Sequence, residues 1–222
     1  MYPLRSRDDP VTLVAWIFTA FLVVLVPVYL LRYGPTNFLY FCDTALLLTA
    51  VSLWTRWRLP ASMALVGILV PQLLWIADLL VHLTGFPLLG MTDYMFNHDS
   101  PLFLRLLSLF HVWLPVLLLW LVPRLGYDPR AFWAWTAFGT VLLLISFFLL
   151  PAPPAPVTDP GLPVNVNLVY GFSDARPQQV MPPLAYLGLL VIAMPVLCYL
   201  PAHLLMSWWV KLKPRVLVPI ER

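Results

Sequence analysis

Charge is scarce in this 222-residue chain: it has 13 Lys and Arg and 10 Asp and Glu, so only 10% of its residues are charged. Soluble domains carry about 25%, and a chain this poor in charge cannot cover a water-facing surface. Cysteine is rarer still. Cys42 and Cys198 have neither the number nor the spacing of a disulfide framework or a zinc ribbon, and they read as free thiols. The only lysines are Lys211 and Lys213, in the tail, which excludes a retinal protein, since its Schiff base needs a lysine within the membrane. The basic excess is only three charges and carries no nucleic-acid signal.

Apolar surface is what the chain has in abundance. Hydrophobic residues make up 61%, with 10 Trp and 9 Tyr, and the mean hydropathy is +0.86. Because this character extends along the whole chain, it excludes a soluble domain on one anchor and a signal peptide followed by a secreted body. Disorder is excluded as well, despite 24 prolines. Apolar runs long enough to cross a bilayer recur six times, approximately over residues 11–31, 38–54, 59–83, 102–121, 131–150 and 183–209. The expectation is an all-α polytopic membrane protein, a single domain built as a six-transmembrane-helix bundle with two longer outer loops. Internal prolines (Pro27, Pro71, Pro115, Pro195, Pro201) are expected to kink these helices without ending them.

Basic residues set the expected orientation. Arg5, Arg7, Arg56, Arg58, Arg124, Arg130, Lys211, Lys213, Arg215 and Arg222 fall on one side, and Arg32, Arg105 and Arg176 on the other. By the positive-inside rule both termini are cytoplasmic in an inner-membrane-type bilayer. The connections Thr84 to Pro101 and Pro151 to Pro182 then lie outside. The first mixes Phe86, Tyr94, Phe96, Asp93 and Asp99 and reads as an ordered lid. The second opens as a stiff PAPPAP spacer, and its VNVNLVYGF stretch alternates like a short strand or a packed extended segment.

Ionisable groups inside spans are expensive and are functional candidates by default. At a rise of ~1.5 Å per residue, Asp43 lies ~7 Å inside the second span, Asp78 about as deep in the third with His82 at the rim, and His111 ~13 Å inside the fourth below Arg105 and Ser108. All fall in the outer half, which predicts a polar cavity between spans two, three and four, with His98 and Asp99 of the lid within reach. His203, near the other face, reads as a bundle-facing histidine bonded to a backbone carbonyl. Three readings of the outer cluster stay open. In the first, Asp43 pairs with Arg105 and Asp78 with His82, purely structurally. In the second, His82, His111 and one or both of Asp43 and Asp78 hold zinc and activate a water, although no HxxxH or HExxH motif supports it. In the third, His111 is a general base, oriented by Asp43 or Asp78, acting on a hydroxyl, thiol or water. No cofactor is required by that last reading. A transporter would favour helices broken at matching positions of two repeats, and neither feature is evident. Haem between paired histidines would want two at similar depth, unlike His82 and His111.

Tyr33-Gly34 followed by Phe38-Leu39-Tyr40-Phe41-Cys42-Asp43 resembles the corresponding segment of the androgen-induced and androgen-dependent threonine hydrolases, six-span enzymes that cleave fatty-acid esters of hydroxy fatty acids. His111-Val112-Trp113-Leu114-Pro115 is similar to the segment carrying that family's catalytic histidine, with a histidine-to-proline spacing that differs by one. The resemblance covers some twenty residues. It implies a lipid or acyl ester hydrolase with His111 catalytic, and it aligns the family's nucleophilic threonine with Tyr40. Tyrosine is a poor acyl acceptor, so Cys42 or Thr44 takes over or the fold is shared without the activity. Tyr40, His82, Arg105 and Ser108 are then expected to contact substrate. FLYFCDTALLLT and the TDYMF string also look like uncharacterised bacterial multi-span proteins, which implies no activity. A non-catalytic lipid-binding or structural accessory protein, with membrane lipid as its partner, is the alternative. The orientation can be tested directly: a reporter fused after Arg222 should read cytoplasmic and one inserted at Thr158 external, and the opposite pair of signals would invert the topology.

Overall fold

The computed structural model describes residues 9–86, 88–97, 100–156, 158 and 161–212, so His98 and Asp99 lie outside the described residues. In chain order the helices are α1 (Pro10–Tyr33), α2 (Phe41–Thr55), α3 (Arg58–His82), α4 (Asp93–Phe96), α5 (Leu102–Leu107), α6 (Phe110–Leu125), α7 (Ala131–Leu149), α8 (Pro183–Ala193) and α9 (Leu200–Leu212). Two 3-10 turns, Pro35–Leu39 and Val166–Leu168, and a π-helical turn, Met194–Tyr199, complete the described secondary structure. Among the described residues, five helical stretches are long and apolar enough to cross a membrane: Pro10–Tyr33, Arg58–His82, Leu102–Leu125, Ala131–Leu149 and Pro183–Val210. α2 is shorter. Its 15 residues rise only ~22 Å at ~1.5 Å per residue, against a hydrocarbon core of ~30 Å.

Local chemistry explains these boundaries. Asp9 caps α1 by accepting the Val11 amide at 3.1 Å, with Pro10 in the first turn, where its missing N–H costs nothing. The helix stops at Gly34, whose φ of 77° suits a residue without a side chain. Pro35 then opens a 3-10 turn, which takes up residues 38 and 39 that the apolar pattern assigns to the second span. Pro27, Pro71 and Pro115 sit inside continuous helices, as expected. Pro195 instead falls in the π turn, where the Leu200 amide bonds back to the Pro195 carbonyl. The fourth predicted span is broken between α5 and α6: the amides of His111 and Val112 bond to the carbonyls of Ser108 and Leu109 in tightened turns. Interrupted helices, unseen in the apolar pattern, therefore do occur. No strand occurs among the described residues, and the VNVNLVYGF stretch is corrected to a 3-10 turn. Asn165, Asn167 and Leu168 all have positive φ there, a conformation incompatible with a strand.

α3 is the centre of the bundle, packed against α2, α6, α7 and the last helical stretch, whereas α1 leans mainly on α2. α3 meets α7 closely at Gly67, where any Cβ would collide with the Trp135 indole. Trp135 and Gly139 in turn meet Tyr199 of the π turn, and Trp135 stands edge-on to Phe41 of α2. At one end, here the basic end, Arg56 meets Asp9 at 2.6 Å, and Asp128 receives Arg130 at 2.8 Å and Arg58 at 3.5 Å. His203 at this end meets the Tyr127 hydroxyl at 2.6 Å, a side-chain partner in place of the expected backbone carbonyl. The opposite, loop end carries the two long connections.

Asp128 lies in the short α6–α7 connection, and its carboxylate is 2% exposed. Hydrogen bonds from the Arg130 side chain and backbone hold it below the usual carboxylate range, assisted by the charges of Arg130 and Arg58. A depressed folded value means that the stabilisation is complete above the unfolded value and is lost as pH falls through the folded one. Asp128→Asn should therefore lower the melting free energy in detergent by roughly 1–2 kcal/mol at neutral pH, the exposed guanidinium partner being partly screened. The gap between variant and wild type should close as the pH drops below the carboxylate range; a gap independent of pH would show that the charge is not what matters.

Candidate functional site

Asp43, Asn37 and Cys42 form the polar centre of the loop end. Asp43 is 4% exposed in the first turn of α2. Its Oδ2 accepts the Asn37 amide at 3.2 Å and faces the Cys42 thiol at 3.9 Å. Its Oδ1 is buried and has no hydrogen-bond partner. Tyr29, Tyr40 and Tyr94 all lie within electrostatic reach of this carboxylate. A carboxylate with one vacant oxygen, walled by hydroxyls and a thiol, is an acceptor without a donor.

The break between α5 and α6 supplies the facing wall. Ser108 ends α5, and its Oγ is 3.2 Å from the Tyr29 hydroxyl and 3.2 Å from the Leu104 carbonyl. His111 Nδ1 lies 2.7 Å from the Ser108 carbonyl. A carbonyl only accepts, so Nδ1 carries the proton, and in the neutral ring Nε2 holds the lone pair. The imidazole stacks on Trp75 of α3 at 4.7 Å and leans on Phe110 at 4.1 Å. Tyr94, from α4 in the first loop, is set against the Ser108 and Trp75 side chains. Burial of its hydroxyl pushes the Tyr94 phenol up, with the Ser108 contact opposing, so it stays a donor.

Neither ion pair expected from the spacing forms. Arg105 gives its guanidinium to the Met95 carbonyl at 3.1 Å, its Nε is buried without a partner, and no ion pair joins it to Asp43. Asp78 does not meet His82 directly. Its carboxylate accepts the amides of Leu88, Leu89, Gly90 and Thr92 and the Thr92 hydroxyl, at 2.5 to 3.2 Å. Thr92 spends its hydroxyl proton on Asp78, so it accepts from His82 Nδ1 at 3.4 Å and links the two residues. His82 also lies 3.6 Å from Asp93 and stacks on Phe96 at 4.0 Å. Asp78 thus straps down the first loop and carries α4 over the cluster.

The remaining candidates are engaged in the backbone. Thr44 donates to the Phe38 carbonyl at 3.0 Å, closing the turn that leads into α2. Tyr40 donates to the Val164 carbonyl at 3.3 Å and ties the second loop to α2. Asn167 inserts from that loop, accepting the Phe41 amide at 2.9 Å and donating to Leu39 and Ser146. Asn165 holds the same loop through Gly171, Ser173, Asp174 and Tyr170. Burial raises the Asp174 carboxyl, an Asn165 hydrogen bond opposing it. Among the described residues no three His, Cys, Asp or Glu side chains gather as a metal-ligand set. The two loops meet around a cavity of about 330 Å³ lined by Leu89, Phe172, Ser173, Arg176, Gln178 and Val180.

Structure thus brings Asp43, Cys42, Ser108 and His111 to one end, together with Tyr29, Asn37, Trp75 and Tyr94, which the sequence reading left out of the site. Asn37 follows a Gly-Pro pair and Tyr29 precedes Arg32 by less than a turn, a weak signal of a polar rim. Comparison with known proteins adds nothing to the geometry: the chain matches no family model, no curated protein and no solved structure. The loop strap yields its own expectation. Asp78→Asn removes the charge and one acceptor oxygen, so amides 88–92 should exchange with deuterium faster and stability should fall by roughly 1.5–3 kcal/mol. Unchanged exchange at these amides would show that the loop holds itself.

Proposed function

We propose that this is a six-span integral-membrane protein, α2 being a short second span, with both termini cytoplasmic and the loop end facing outward. We further infer that it cleaves a lipid or acyl ester at the Cys42–Asp43 site. The observation that carries this reading is the thiol of Cys42 beside a buried carboxylate whose second oxygen is unpartnered. Of the two alternative nucleophiles, Thr44 spends its proton on the Phe38 carbonyl and Cys42 keeps the carboxylate as its partner.

In this scheme the Cys42 sulfur attacks the ester carbonyl carbon and its proton passes to Asp43. The carbon–oxygen bond of the ester breaks, Asp43 returns the proton to the leaving alcohol, and an acyl thioester remains. Water then attacks the thioester and gives a proton to Asp43. The sulfur leaves and recovers that proton as the free acid departs. The hydroxyls of Tyr94 and Tyr29 are the nearby donors for the oxygen that becomes negative in each step. His111, which the family resemblance implies is catalytic, offers Nε2 as a second acceptor.

A non-catalytic lipid-binding role is the second reading, favoured by His111, whose hydrogen bond to Ser108 and stacking on Trp75 are a packing arrangement. One experiment separates the two. The purified protein in detergent is incubated with an alkyne-tagged palmitoyl nitrophenyl ester, and hydroxylamine-labile labelling is read. Wild type should label, Cys42→Ala should not, and Asp43→Asn should label roughly 100-fold more slowly or worse, as expected for loss of an acid–base group. No labelling of wild type, or equal labelling of Cys42→Ala, would leave the accessory role.

A further inference from the structure

An apolar groove of about 560 Å³ separates α1 from α6, lined by Val14, Ile17, Phe18, Phe21, Trp113, Val116, Leu117 and Trp120. That volume lies within the ~300–1,000 Å³ of ordinary ligand clefts. The groove has two different ends. At one, Phe18 and Phe21 stand edge-on to Trp113, at 5.9 and 4.9 Å, and bridge the two helices. At the other, Trp120 carries the Arg124 guanidinium over its ring at 4.2 Å. The walls between them, Ile17 and Val116, are 62% and 63% exposed.

Arg124 differs from its neighbours at the basic end. Arg56, Arg58 and Arg130 are each ion-paired with Asp9 or Asp128, whereas Arg124 is exposed and, among the described residues, has no acidic partner. It is held by the Trp120 ring and by the Trp120 carbonyl, which it meets at 2.8 Å. Those contacts leave part of its planar donor fork free, and that fork matches the geometry of a phosphate. Seven residues of helix between Trp113 and Trp120 give the groove ~10 Å of length along the helix axis. A slot with an aromatic closure at one end and a fixed, uncompensated cation at the other has the polarity of a phospholipid: a chain along the walls and a phosphate at the mouth.

We propose that the α1–α6 groove is a binding site for an anionic phospholipid, with one acyl chain against Ile17 and Val116 and its phosphate on Arg124. The site is separate from the Cys42–Asp43 cluster, and nothing in the acyl-cleavage reading depends on it. A second copy of the chain would also cover an apolar groove, but it would bury the Arg124 charge against the same cation of a partner, which disfavours it.

The test is native mass spectrometry of the detergent-purified protein incubated separately with phosphatidylglycerol and phosphatidylcholine. Wild type should retain the anionic lipid about fivefold more than the zwitterionic one, as expected for one basic side chain near an anionic headgroup. Arg124→Gln should erase that preference without changing the melting temperature of the lipid-free protein. Val116→Trp, which fills the groove from an exposed position, should reduce retention of both lipids. Equal retention of the two lipids by wild type, a preference that survives Arg124→Gln, or a dimer that Val116→Trp dissociates would each overturn the proposal. Melting curves with and without each lipid provide the second readout, should either variant express poorly.

Discussion

A backbone amide or carbonyl that leaves a helix in a water-poor setting must be met by some other polar group, and several of the described polar side chains are occupied by that requirement. Asp78 takes the amides of the first loop, Asn167 takes the exposed start of α2, and Ser62 takes the amide of Asp128 between α6 and α7. Even His111 and Arg105 bond to carbonyls, those of Ser108 and Met95. Ser52, Gln72, Arg105, Trp135, Thr136 and Tyr199 each keep one buried polar atom without a partner, and what sets Asp43 apart from them is that its idle atom, Oδ1, belongs to a carboxylate whose Oδ2 has two neighbours.

That same requirement decides how much could be read from the sequence. Apolar runs report the long helices well because a span must satisfy its own backbone, and the helices Pro10–Tyr33, Arg58–His82 and Ala131–Leu149 follow the runs closely. They report interruptions badly. Residues 38 and 39 are as apolar as a helix, yet Gly34 and Pro35 start a 3-10 turn and delay α2 to Phe41. Ser108 and Leu109 lie within a largely apolar run, and the turn there sits where Tyr29 of α1 meets Ser108 and Trp75 of α3 meets His111. The placing of Asp43, Ser108 and His111 toward the same end of their helices was legible because helical rise converts sequence position into height. Their partners were not. Spacing alone pairs Asp78 with His82 across one helix face, but loop amides at 2.5 to 3.2 Å outcompete the imidazole, and nothing in the spacing shows where a loop will fold back.

Asparagine is the residue type that a reading of charges overlooks. Asn37, Asn165 and Asn167 carry no formal charge, yet each offers both a donor and an acceptor, so one side chain can serve an amide and a carbonyl at once. Asn165 and Asn167 also tolerate the positive φ that the second loop requires. The alternation in VNVNLVYGF that suggests a strand is better understood as asparagines pointing inward to polar work between valines packed around them: Val164, Val166 and Val169 are all buried.

The contact between Gly67 and Trp135 has a consequence for the order in which this bundle is assembled. The notch at Gly67 is filled by the indole of Trp135, a residue 68 positions further along the chain, so this part of α3 stays open until α7 has been made. The indole then acts as a key with a single slot. Sliding α7 along α3 would move the ring off the notch toward the residues one turn away on the same helix face, Ala64 on one side and Pro71 on the other. The pairing of α7 with α3 therefore waits on one tryptophan, whose seat at Gly67 sets the height of α7 against the centre of the bundle.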